Sequence, residues 1–156
     1  MELKLKFTEW QEAINALRII AGAKLPLSAV PLNISYVNPI MDAYEKAKKA
    51  LVDAHVAKDE AGQPKTEKVA VPDGMGGTVD VERYVYDDSD QKKAYLEGIQ
   101  ELNEAEHTLD LKEMPLSFFE EKVKKKDGTE QVEKARLEMV DQYALAKLMQ
   151  FGIVKG

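Results

Sequence analysis

Asp87, Asp88 and Asp90 form the densest acidic group in the chain. Clustered carboxylates suit hard divalent cations. A calcium loop also needs regular alternation, a central glycine and a distal glutamate, and this segment has none of them. Carboxylates ahead of a helix face its unpaired N–H groups, so the three aspartates read as a helix opening. His55 and His107, the only histidines, are the other metal candidates, with Glu104 or Glu106 as partners. Neither lies in a His-Glu-x-x-His pair or a four-residue helical His/carboxylate spacing. Gly74-Met75-Gly76-Gly77 is not a phosphate loop, because it lacks the Gly-Lys-Ser/Thr ending and precedes a strand. No serine sits in a Gly-x-Ser-x-Gly elbow. The chain has no cysteine, which removes thiol redox chemistry, thiolate metal sites and disulfides. No catalytic residue, cofactor-binding residue or metal ligand is therefore assigned. A metal-dependent hydrolase or nuclease built on the aspartates is the last of three functional readings.

Surface recognition is better supported. The net charge is -6 and unevenly spread. Residues 59–113 hold fifteen acidic and six basic side chains, while the flanking thirds are near balance. Such a middle repels nucleic acid and suits a basic protein surface, or is simply a solvated face. The one basic run, Lys122-Val123-Lys124-Lys125-Lys126, is diluted by Glu120, Glu121 and Asp127. It reads as a helix end complementing its dipole. The stretch from Tyr143 to Val154 is apolar on more than one side. It reads mainly as core, yet Tyr143, Leu148, Met149 and Phe151 are also the candidate anchors for a protein partner or for self-association. Asp87, Asp88 and Asp90 are the candidate acidic contacts.

These residues need elements to hold them. Leu3, Leu5 and Phe7 alternate with lysines, the pattern of a half-buried strand. Thr8-x-x-Gln11 predicts a helix starting at Thr8, and Gly22 a stop. Pro26, Pro31 and Pro39 predict an irregular packed connection over 23–39, with Asn38 capping the next helix and Pro39 in its first position. Ile40, Tyr44, Ala47, Leu51 and His55 then recur at helical spacing as far as Lys58, before Gly62 and Pro64 stop the helix. Two short strands follow, over 67–72 and 78–86, joined by a glycine-rich turn, with Val79, Val81 and either Tyr84 or Val85 facing inward. The aspartates open a helix with Tyr95, Ile99 and Leu102 as its stripe. Residues 107–114 alternate again. Ser117-x-x-Glu120 predicts another helix, broken at Lys126-Asp127-Gly128, and Thr129 caps a last one through Val132, Arg136, Met139 and Val140.

At 156 residues the chain is expected to be a single domain, 1–156, that needs no staple. No apolar run has the length of a membrane span, and the alternating N-terminus lacks a signal peptide's apolar block. A cytoplasmic place is expected, and the Asn33-Ile34-Ser35 sequon is read as chance. The expected fold is α+β and mostly helical. A long helical hairpin (40–58 against about 89–106) carries a small β-hairpin tip, with further short strands from the N-terminus and 107–113.

Several segments resemble a family of small phage and prophage proteins of unassigned function. They are the lysine-rich first strand, Asn15-Ala16-Leu17, Lys24-Leu25-Pro26, the charged helix ending at Lys58–Lys65, and the Ala144 to Phe151 helix. The resemblance implies a viral or prophage origin, in a bacterial host's cytoplasm or with the virion, and no catalytic residues. The leading expectation is a non-enzymatic accessory protein that binds another protein, in particle assembly. The alternative is a small acidic inhibitor of a host or defence nucleic-acid-binding protein.

Overall fold

The computed structural model describes residues 1–22, 28–119, 121–124, 130–133 and 141–156. Along the chain run β1 (Glu2–Lys6), α1 (Phe7–Gly22), α2 (Ala29–His55), β2 (Thr66–Pro72), β3 (Thr78–Tyr84), α3 (Ser89–Glu104) and β4 (Glu106–Asp110). Then come β5 (Met114–Pro115), a 3-10 turn (Leu116–Phe119), β6 (Glu121–Lys124), β7 (Glu130–Glu133), α4 (Gln142–Gln150) and β8 (Val154–Lys155). The fold is α+β. The strands pair in twos: β1–β4, β2–β3 and β6–β7 antiparallel, and β5–β8 parallel. The chain forms two compact units, Met1–Asp42 with Glu104–Gly156, and Ala43–Asn103.

The first unit is organised by α1. Trp10, Ile14, Leu17 and Ile20 recur at helical spacing and are all fully buried. The Trp10 indole N–H donates to the His107 carbonyl at 2.9 Å, so its polar atom stays paired in the core. β1 meets β4 with Leu3 opposite Leu109 and Leu5 opposite His107. The helix starts at Phe7, one residue before the expected start. The Glu9 carboxylate accepts from the Lys6 backbone N–H at 2.8 Å, so glutamate rather than Thr8 closes the N-terminus.

The connection over 23–39 is the largest departure from expectation. Residues 23–27, with the Lys24-Leu25-Pro26 element, lie outside the described residues. From Ala29 onward the chain is already helical, and Pro39 lies inside α2 rather than at its start. Pro31 falls in the first turn, whose N–H groups have no helical partner anyway. An interior proline costs about 3 kcal/mol. Val30, Val37 and Ile40 share the buried face, and each contributes about 1.5–3 kcal/mol. Their sum outweighs the proline, so the helix continues. Asn33 joins the same face with no exposed surface. Its amide donates to the Lys112 carbonyl at 3.0 Å and accepts from the Lys112 N–H at 2.8 Å. At the far end α2 stops at His55, short of Lys58, because the Ala57 N–H turns to the Val85 carbonyl.

The C-terminal third also departs. Ser117 lies in a 3-10 turn instead of opening an α-helix, and Lys122–Lys124 stand in β6 instead of at a helix end. Val132 belongs to β7. The last helix begins at Gln142, where the Asp141 carboxylate accepts from the Ala144 N–H at 2.9 Å. Glu120, Lys125 to Thr129, Arg136, Met139 and Val140 lie outside the described residues. A threonine cap and an Asp cap have similar sequence signatures, so the strand signal in 130–133 was lost among charged residues.

Pro39 is exposed inside α2. Pro39→Ala is expected to raise stability by about 1–2 kcal/mol, the helix gain less the added unfolded-chain entropy, read as a higher urea midpoint. An unchanged or lower midpoint would show that the helix interior does not strain there. Lys4 pairs with Glu106 across β1–β4, and that hydrogen bond, then the Lys4 charge, holds the Glu106 carboxyl below its ordinary range. A depressed carboxyl contributes stability that is present above the ordinary glutamate pKa and lost as pH falls through the folded value. Carboxyl NMR should therefore show a low Glu106 midpoint that Lys4→Met returns to the ordinary range.

Candidate protein-binding surfaces

Within residues 43–103 a small aromatic core holds the β2–β3 sheet in place. Val52, Val56 and Tyr95 are buried, with Leu51, Tyr84, Tyr86 and Ile99 packed on them. The Tyr84 and Tyr86 rings each lie 5.8 Å from the Tyr95 ring, the first edge-on at 78°. Burial, followed by the neighbouring tyrosines, raises the phenol pKa of both Tyr86 and Tyr95. The Tyr44 hydroxyl donates to Asn103 at 3.0 Å, and His55 Nδ1 lies 2.8 Å from the Gln91 side-chain oxygen. At Gly98 a Cβ would come within 2.7 Å of Leu51, so α3 approaches α2 there only because glycine has no side chain.

The base of the sheet is locked by backbone. Ala57 donates to Val85, Val85 to Lys65 and Lys65 to Ala57, each at 2.8–2.9 Å. The turn before β2 is closed by the Asp59 carboxylate, which accepts from Ala61 and Gln63. The β2–β3 turn is closed the same way by Asp73, accepting from Met75 and Gly77, while Gly74 and Gly76 adopt positive φ. Sequence patterning and backbone locking together give a stiff two-stranded ribbon.

Its two faces are chemically different. Directly opposed residues share a face. Val69 faces Val81, Val71 faces Val79 and Glu67 faces Arg83, so one side carries four valines and ends in an opposed glutamate and arginine. The other side carries Lys68 opposite Glu82 and Ala70 opposite Asp80, with Tyr84 turning into the aromatic core. The expectation that Val79 and Val81 face inward is overturned. They are 50% and 39% exposed, and Met75 at the turn is 93% exposed. Alternation correctly marked an apolar face, but its β2 valines, Val69 and Val71, are only half-buried and its β3 valines are exposed.

The aspartates end beside this sheet. The Asp88 carboxylate accepts from the Gln91 N–H at 2.9 Å and caps α3, while Asp87 and Asp90 are exposed. An open groove of about 650 Å³ runs past Asp88, with Tyr84, Tyr86, Arg83 and Lys92 along it. Both charge signs line it, which gives no preference for a simple anion or cation. Among the described residues no three His, Asp or Glu side chains are arranged to hold a metal ion.

In the other unit α4 packs on α1 and divides the four C-terminal candidates. Leu148 and Phe151 are buried core, while Tyr143 is 72% and Met149 42% exposed. Only the latter two are available to a partner. The Lys147 ammonium bonds Glu12 of α1 at 2.9 Å and lies 5.8 Å from the Tyr143 ring centre. Glu12 raises the Lys147 pKa. Ile19, half exposed, lies with Tyr143 along a shallow groove of about 260 Å³.

Sequence reasoning thus missed the valine face as a surface. The signal was present: two adjacent alternating strands with no third strand to cover them. No family model, no curated protein and no solved structure matches the chain.

The Gly98 contact yields a measurable coupling. In a Leu51→Ala background, Gly98→Ala should gain about 1 kcal/mol from helix propensity. In the wild-type background that gain should shrink or reverse, because Leu51 must move. Equal effects in both backgrounds, by urea denaturation, would mean the helices do not meet as described.

Proposed function

We propose that this chain is a non-enzymatic accessory protein of phage type that works by binding another protein. Particle assembly, in a bacterial cytoplasm or on the virion, is the setting that the resemblance to small phage and prophage proteins suggests. In this reading α2 and α3 form a helical hairpin that presents the β2–β3 ribbon at its tip. The observation that carries the reading is the valine face, whose Val79 and Val81 are exposed. A two-stranded sheet is marginal by itself, and an antiparallel sheet patterned apolar on one side ordinarily buries that side. Exposed Tyr143 and Met149 offer a second, smaller contact, rich in the residue types that anchor interfaces.

A second reading, an acidic inhibitor of a nucleic-acid-binding protein, draws on the exposed Asp80, Glu82, Asp87 and Asp90. It predicts capture of a basic partner that is lost at high salt. The first reading predicts capture that survives salt, since apolar contact is not screened.

Affinity capture with Val79→Lys and Val81→Lys variants tests the proposal. Both positions are exposed, so each variant should keep its melting temperature while partner recovery falls more than tenfold. Unchanged capture by both variants, or turnover of a substrate by the purified protein, would overturn it.

A further inference from the structure

The valine face carries a charge layout that suits one particular occupant. Glu67 and Arg83 are opposed across the strands at the base end of the face. Both are exposed, and among the described residues neither enters an ion pair. A two-fold axis that runs along the strands, between two facing copies, exchanges β2 with β3. It sets Glu67 of each copy over Arg83 of the other, Val69 over Val81, and Val71 over Val79. Met75 meets its own counterpart at the turn. Sheets packed face to face lie about 10 Å apart, within reach of glutamate and arginine side chains. The sheet's packing onto the aromatic core is made through Tyr84, which belongs to the other face.

We propose that the β2–β3 valine face is an interface with a second copy of this chain, matched by two reciprocal Glu67–Arg83 pairs. The proposal rests on reading this face as a protein contact, and it names the partner. A seven-residue, two-stranded face is about 24 Å by 10 Å, well under the roughly 800 Å² per partner of a stable interface. The dimer is accordingly weak and reversible.

Sedimentation of the full chain over a wide concentration range tests it. The wild type should pass from monomer to dimer. Glu67→Arg places like charges opposite each other at both pairs, and so does Arg83→Glu, so each variant alone should associate about tenfold more weakly. Mixing the two variants restores complementarity at both pairs, and the mixture should dimerise like the wild type. Val81→Thr, which keeps the shape and strand preference, should weaken association without altering the charges. A mixture no better than its parts, or a Val81→Thr variant that dimerises normally, would overturn the proposal. A wild type that stays monomeric would also overturn it. If such a monomer still captured another protein, and Val81→Lys abolished that capture, the second copy would be the wrong partner while the face remained a protein contact. Capture indifferent to Val81→Lys would sink both.

Discussion

Asn33 is the only buried polar side chain among the described residues, and its amide has one satisfactory arrangement. Both of its polar ends are taken by the backbone of Lys112. An unpaired buried amide costs a few kcal/mol, so α2 cannot slide or rotate against the 111–114 segment without a large penalty. That constraint holds α2 in register despite Pro39. It also joins residues 79 positions apart, closing the first unit around α1. Hydrophobic burial supplies the bulk of the stabilisation there, but it is non-directional. The asparagine supplies the direction.

The second unit solves a different problem. Its core is small, a few aliphatic side chains and three tyrosines, and it leaves most of the β2–β3 ribbon outside. The ribbon is held by backbone bonds at its base and by Asp73 at its turn. This arrangement leaves Val79 and Val81 exposed on one face. A flexible loop with the same valines would lose far more conformational entropy on binding.

Legibility in the sequence followed the range of the interaction. The alternation of Leu3 and Leu5, the stripe of Trp10, Ile14 and Leu17, the turn at Asp73–Gly77 and the acidic opening of α3 are all local signals, and they could be read. The start of α2 could not, because three prolines argued locally against helix and only burial of Val30, Asn33 and Val37 reversed that. The helix expected after Ser117 failed for the same reason: a capping box is a short pattern, and strand pairing between 121–124 and 130–133 prevailed. The C-terminal anchors share one apolar stretch, yet packing against α1 buries Leu148 and leaves Tyr143 out.

From the residues alone came the α+β class, the acidic middle, the absence of thiol chemistry and the presence of an apolar strand face. These depend on composition and on periodicities of two and about four residues, which any stretch of chain carries within itself. Tertiary structure alone decided that Leu148 is core, that α2 runs through Pro39, and that Val79 and Val81 of β3 are exposed. Those outcomes depend on which distant surfaces meet, and burial energy is settled only when they do.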